Sequence, residues 1–466
     1  NFIDSDIEGS VQSPLPLSKD KIICQIYDED SWQSGKPENT NYILKRADAE
    51  TLKKVQEKQI LTAAGNDVIY SLSSEVVKFN KSNDKFRVKV IDYSKFNTDD
   101  DYNAGSRELN NDLLKGNVPD ILLLNTNMNA DTYIGKKLLT DMNTFFSSDK
   151  DIKKEDYLEN ILNIFESDGK LYQITPTFGI RTMVGKTSEI GEKQGWNFSE
   201  FMAFVEKNKD KEVLNISGRK ELLNSFLSMT IGEYVNYKEG KCNFENEDFI
   251  KLMEFVKEYG KDQEDIDIEA KDSYPMNEYN ALLNIVGIDG YHRLHELEKG
   301  YIGEEVTFKG LPSPKGIGSA IGYQVSLAIS DKSKNKEGAW EFVKVFLKED
   351  FQDKTTNTGL GFPLKKSSLE KLAENTKNPP KDQQNSMIQP TVFIGEEMKE
   401  IGFIDDAGIE KVNKLITSID SAVNYDANIS KIIEEEMEVF YKGDKTAQEV
   451  AKLIQNRVNT YINEIK

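Results

Sequence analysis

At 466 residues the chain exceeds the usual single-domain ceiling, so two lobes or more are expected. Sixty basic against 80 acidic residues leave a net charge of −20, which argues against nucleic acid and anionic membrane surfaces as partners, since both need clustered Lys and Arg. No apolar run reaches the roughly 18 residues of a membrane span.

Residues 1–20, polar and interrupted by Pro14 and Pro16, read as poorly ordered. Lys21–Tyr27 and Asn41–Arg46 read as a hairpin around the loop 34–40, and residues 1–59 form an extension too small to stand alone. A new unit begins near Gln59 with a strand at Ile60–Ala64. A helix over Val68–Asn80 follows, then a strand from Phe86, a helix near Tyr102–Lys115 closed by Gly116, and a strand from Val118. This β-α-β-α-β rhythm predicts a doubly wound open sheet, with ligand beyond the carboxyl ends of the strands. Asn66, Asp67, Tyr93, Asn125 and Asn127 fall at those ends.

Residues 169–186 organise the rest. Leu171–Ile174 read as a strand, Pro176 interrupts it, and Phe178–Val184 resume an extended apolar pattern. Pro gives a sheet ladder no N–H, so this stretch suits a chain passing from one sheet to another at Pro176 and Thr177. Helices are expected next at Ser199–Asn208 with Ser199 as cap, at Ser217–Ser228, Asn246–Tyr259, Glu278–Ile285 and Tyr291–Lys299, around an acidic loop at 262–272. Strands at Val306–Leu311 and Ala320–Ile329 precede a helix at Lys336–Leu347 and a turn at 359–363. From Ser367 the chain reads as mostly helical.

Catalytic signatures are absent: there is no nucleophile elbow, phosphate loop or dinucleotide fingerprint. His292 and His295 are three apart and would share a helix face, but no Cys or further His lies close in sequence, so solvated or capping roles are preferred and no metal is expected. Asp99–Asp101 reads as a solvated loop. Cys24 and Cys242 leave a disulfide or two free thiols equally open. A neutral ligand fares better, because polar and aromatic residues recur at strand ends and breaks: Phe178, Asp289 with Tyr291, Tyr323 with Gln324, and Phe362. Sugars present apolar C–H faces and hydroxyl edges that such groups suit.

Five stretches carry a resemblance. Asn117-Val-Pro-Asp-Ile-Leu-Leu-Leu, Asp168-Gly-Lys-Leu-Tyr-Gln-Ile-Thr-Pro, Ala328–Val343, Gly361-Phe-Pro-Leu-Lys-Lys-Ser and Phe79–Val88 occur in the order seen in bacterial extracellular solute-binding proteins, the carbohydrate-type receptors of ABC importers. The chain resembles that family over about residues 60–466. The resemblance implies an α/β, two-lobe type II periplasmic-binding-protein-like fold, with lobe 1 at 60–177 and 323–366 and lobe 2 at 178–322 and 367–466. It implies a non-catalytic, monomeric sugar receptor without cofactor that closes on its ligand, often an oligosaccharide, and delivers it to a membrane permease. It also implies an extracellular, cell-surface lipoprotein of Gram-positive type. The chain opens at Asn1 without the family's lipobox Cys, so it reads as a mature segment, and the anchor is inferred. Stacking is expected from Phe178, Tyr291, Tyr323 and Phe362, hydroxyl recognition from Asp67, Asn125, Asn127 and Asp289, and further contact from Thr177 at the crossing. Phe178→Ala is then expected to weaken binding far more than stability. A secreted glycan-active enzyme or a surface adhesin stays open as the alternative.

Overall fold

Four consecutive apolar residues, Ile121–Leu124, form a short strand buried on both faces, as a central strand of an α/β sheet must be. In the computed structural model this strand runs parallel to Gln59–Gly65, which in turn runs parallel to Phe86–Asp92. Ser326–Ile329 closes the sheet on the other side, antiparallel to Ile121–Leu124. The model describes residues 7, 10–27, 40–67, 72–99, 101–128, 130–216, 218–262, 279–313, 316, 318–354, 361–379, 390–395 and 397–465. The loop 34–39, the helix start at 68–71, nearly all of the acidic loop and residues 359–360 of the expected turn lie outside them.

The chain divides into two compact units. The first comprises 1–125, 137–177 and 323–369, and the second 126–136, 178–322 and 370–466. Residues 126–136 thus belong to the second unit, although the sequence reading put them in the first.

In the first unit Asp120 ties the sheet together. Its carboxylate accepts from the Thr62 amide (2.8 Å) and hydroxyl (2.9 Å), and from the Ser333 hydroxyl (2.6 Å). The helix Lys336–Val343 packs Phe342 edge-on to Phe79 at 5.3 Å. Gly338 on that helix has no substitute, since a Cβ there would lie 2.6 Å from the Phe86 ring. Residues 10–18, expected to be poorly ordered, form a strand instead, and the expected hairpin becomes a three-stranded sheet. Leu15, Ile23 and Ile43 stand in one cross-strand row there, an apolar pairing that outweighs the two prolines. A helix over Ala49–Glu57, missed in the sequence, follows with Asp48 as its cap.

The second unit is built on the strand Thr177–Lys186, antiparallel to Asn284–Ile288, Val306–Phe308 and Ala320–Gly322. Asn284–Ile288 falls partly within a segment expected to be helical; a short apolar run with β-branched residues fits either state until a partner strand is available. Helices Phe198–Lys207, Arg219–Tyr234, Glu247–Tyr259, Ala427–Tyr441 and Ala447–Ile465 enclose a core rich in Phe201, Phe226, Phe249 and Phe255. The first of these is capped by Asn197 in a capping box with Glu200, not by Ser199. A hairpin, Thr391–Ile394 with Glu397–Glu400, interrupts the expected helical tail. Both cysteines are free.

Candidate functional site

In the first unit, connections leave Gln59–Gly65 toward Phe86–Asp92 on one side and Ile121–Leu124 on the other. The carboxyl ends of Gln59–Gly65 and Ile121–Leu124 therefore define a topological switch point, the place where open α/β sheets bind ligands. Asn66 and Asn125 sit there, and the Asn125 amide donates to the Asn66 carbonyl at 3.0 Å.

Asn66 is a brace. Its side chain is 1% exposed, donates to the Ser106 hydroxyl (3.0 Å) and the Tyr102 carbonyl (3.3 Å), and accepts from Asn97 (3.0 Å). Asn97 in turn accepts from the Gly105 amide at 2.8 Å. With these groups committed, Asn66 positions the loop and does not reach a ligand in this conformation. Tyr93 is corrected in the same way: it is buried, and its hydroxyl donates to Asp112 at 2.7 Å. Burial first, and that carboxylate second, push its pKa up to about 12.

Asp67 is exposed at φ 56°, a left-handed conformation that Asp tolerates, so the carboxylate stands at the strand end in reach of solvent. Phe96 and Tyr102 are exposed aromatics on the loop that Asn66 braces, Tyr102 at 70%. Sequence reasoning missed both; the signal was an aromatic beside the Asp99–Asp101 run. Asp101 itself is taken up by a salt bridge to Arg107. Thr177 is half-buried, and its carbonyl accepts from Thr175 at 2.7 Å. Half-buried Tyr323 packs edge-on to Phe165 at 5.5 Å, and Gln324 is exposed. Phe362 is fully buried, so its expected stacking role is not available.

In the second unit, Phe178 is 1% exposed and Tyr291 likewise buried, with the Tyr291 hydroxyl donating to Asn413 at 2.6 Å. Neither ring offers a face to a ligand. The cause is strand alternation: Phe178, Ile180 and Thr182 point to one side of Thr177–Lys186 and are buried there, whereas Gly179 and Arg181 point to the other. Asp289 is exposed and Asn127 half-buried. His292 lies 3.9 Å from Asp289, and His295 Nε2 is hydrogen-bonded with the Ile401 carbonyl at 2.8 Å. Among the described residues no group of three or more His, Cys, Asp or Glu is placed to hold a metal. A groove of about 510 Å³ beside Lys431, Arg457 and Tyr461 contains none of the expected site residues.

The chain matches the family of bacterial extracellular solute-binding proteins over residues 76–382, about two thirds of its length, and it belongs to that family. Comparison with curated proteins gives no match. Among solved structures it is similar to the sugar-binding protein MalE of Xanthomonas citri (TM-score 0.55, 14% identity, 87% of this chain and 98% of that one). It is also similar to an ABC substrate-binding protein from Listeria monocytogenes in complex with cycloalternan (TM-score 0.52, 14% identity, 87% and 99%). A third is an ABC transporter solute-binding protein from Thermotoga lettingae bound with α-D-tagatose (TM-score 0.51, 14% identity, 87% and 100%). These likenesses establish the type II periplasmic-binding fold. The family consists of ligand-binding receptors.

Proposed function

We propose that this chain is the sugar receptor of an ABC importer. The observation that supports this most is at the switch point of the first unit, where Asp67 is exposed and buried Asn66 holds a loop that carries the exposed aromatics Phe96 and Tyr102. A platform with a carboxylate beside it fits a ring that is apolar on its face and hydroxylated at its edge. Thr177, Asn125, Tyr323 and Gln324 are further candidate contacts on the same unit. The ligand is bound and released unchanged, and it favours the conformation that contacts it most. The finer reading is an oligosaccharide ligand, a permease partner, a monomeric state and a lipid-anchored extracellular location in a Gram-positive cell.

Calorimetry across mono- and oligosaccharides tests the reading. Saturable binding with unchanged sugar after long incubation is the expected result. Appearance of shortened products would replace the receptor with a glycan-active enzyme, and absence of binding to every sugar would leave the family assignment without a carbohydrate ligand.

A further inference from the structure

Arg181 projects from the face of Thr177–Lys186 opposite Phe178 and is half-buried there. Its cross-strand partners are Gly287 and Ala320, and two residues back Gly179 pairs with Gly322. Apart from the buried Ala320 methyl, that face of the sheet is floored by glycine backbone beside Arg181. A Cβ added at Gly287 or at Gly322 would meet no atom within 4 Å, so the space above the floor is open. The guanidinium is half-buried, yet its one hydrogen bond among the described residues is Nη2 to the hydroxyl of buried Ser225, at 3.3 Å. Among the described residues no carboxylate forms an ion pair with it. Glu221, one turn before Ser225 on the helix Arg219–Tyr234, biases the charge only from a distance, and burial still lowers the Arg181 pKa from its ordinary value.

A partly desolvated guanidinium with one protein acceptor among the described residues gains from a further acceptor. Planar guanidinium groups recognise carboxylates in two-point fashion. At the end of the same floor stands exposed Asp289, with its Cβ 3.9 Å from where a Gly179 side chain would begin. His292 lies beyond it. An acceptor of hydroxyl donors and a donor to a carboxylate thus border one glycine-floored surface.

We infer that this surface of the second unit is a subsite for the acidic residue of a sugar, with Arg181 holding a uronic-acid carboxylate and Asp289 its hydroxyls. The inference rests on the sugar-receptor reading and narrows it from neutral to acidic saccharides. A glycine floor admits a ring lying flat on the sheet, which any side chain at Gly287 or Gly322 would lift away.

The test is titration calorimetry of the whole chain with galacturonate and glucuronate oligomers, their neutral galactose and glucose counterparts, and acetate as a free carboxylate. At least one acidic oligomer should bind more than about tenfold tighter than its neutral counterpart, with the preference shrinking at high salt. Arg181→Gln should remove the preference, and Arg181→Lys should restore only part of it. Neutral oligomers binding as tightly as acidic ones would overturn the acidic subsite and leave the receptor intact. Acetate binding at Arg181 with the affinity of the oligomers would reduce the site to a bare anion pocket and overturn it as well. If no sugar of either class binds, the receptor reading falls with it. Should Arg181→Gln fail to fold, the wild-type preference and Arg181→Lys still decide.

Discussion

The two units present their candidate site residues by opposite means. In the first, a buried asparagine fixes a loop on which Phe96 and Tyr102 are exposed, and Asp67 next to it is exposed as well. In the second, glycines clear a floor and one half-buried arginine stands on it. Polar recognition can thus be built by hydrogen-bonded positioning or by removing side chains. The two constructions should fail differently when mutated.

The largest effects fall where the side chain is structural. Phe178→Ala removes a ring that is 1% exposed, so it should lower stability by about 3–5 kcal/mol in chemical denaturation, reversing the expectation from sequence that binding would suffer most. A loss of affinity at unchanged denaturation midpoint would return Phe178 to the ligand. Next comes Asn66→Ala, which deletes the acceptor of Asn97 and the donor to Ser106 and strands their buried partners. It should cost about 3 kcal/mol and loosen the loop that carries Tyr102. If stability and sugar affinity both survive, the brace is incidental.

Two surface changes should spare the fold. Tyr102→Ala, at a position 70% exposed, should leave stability within about 0.5 kcal/mol. It should weaken sugar binding about tenfold, roughly 1.4 kcal/mol, because the platform goes with the ring. Gly287→Val inserts a β-branched residue into open space on a strand and should raise stability by up to about 1 kcal/mol while lowering affinity. Matching affinities for this variant and the wild type would mean that the glycine floor carries no ligand.

Much of the architecture was legible because periodicity reports it. Gln59–Gly65, Phe86–Asp92 and Ile121–Leu124 alternate or run apolar as strands do, and the Pro-Asp-Ile turn announces the third. The placing of Asn66, Asp67 and Asn125 at strand ends followed from that rhythm alone. What sequence could not supply was the parity of Thr177–Lys186. Pro176 gives a break but no register, and a one-residue shift exchanges the buried and open faces. Phe178 was thereby assigned to the ligand and Arg181 overlooked, though the alternation of Gly179, Arg181 and Met183 with Phe178, Ile180 and Thr182 held both readings. Tyr291 and Phe362 were misplaced for a related reason: an aromatic at a break is as suited to plugging the break as to facing solvent. The strand Asn284–Ile288 was lost because its pairing partner lies about a hundred residues earlier.

The thiol of Cys242 offers a smaller but selective probe of the second unit. Burial is the first cause of its pKa being pushed up to about 12, while a backbone hydrogen bond with Asn459 pulls the other way. A group whose pKa is raised in the folded state keeps its contribution below the unfolded pKa, near 8.5 for a thiol, and loses it as pH climbs toward the folded value. Between pH 7 and pH 9 the unfolded thiol ionises and the native one does not, so Cys242 should subtract about 0.8 kcal/mol from stability over that interval. Cys242→Ala should flatten this part of the pH dependence when denaturation midpoints at pH 7 and pH 9 are compared with those of the wild type. At pH 8, a thiol reagent followed by peptide mapping should mark Cys242 only as the second unit unfolds. That labelling, set beside the loss of ligand binding in the Asn66→Ala protein, separates a loosened loop in the first unit from opening of the second. Rapid labelling of native Cys242 at pH 8 would show that its helix-lined surroundings open on their own, and the contrast between a braced first unit and a rigidly floored second one would then not hold.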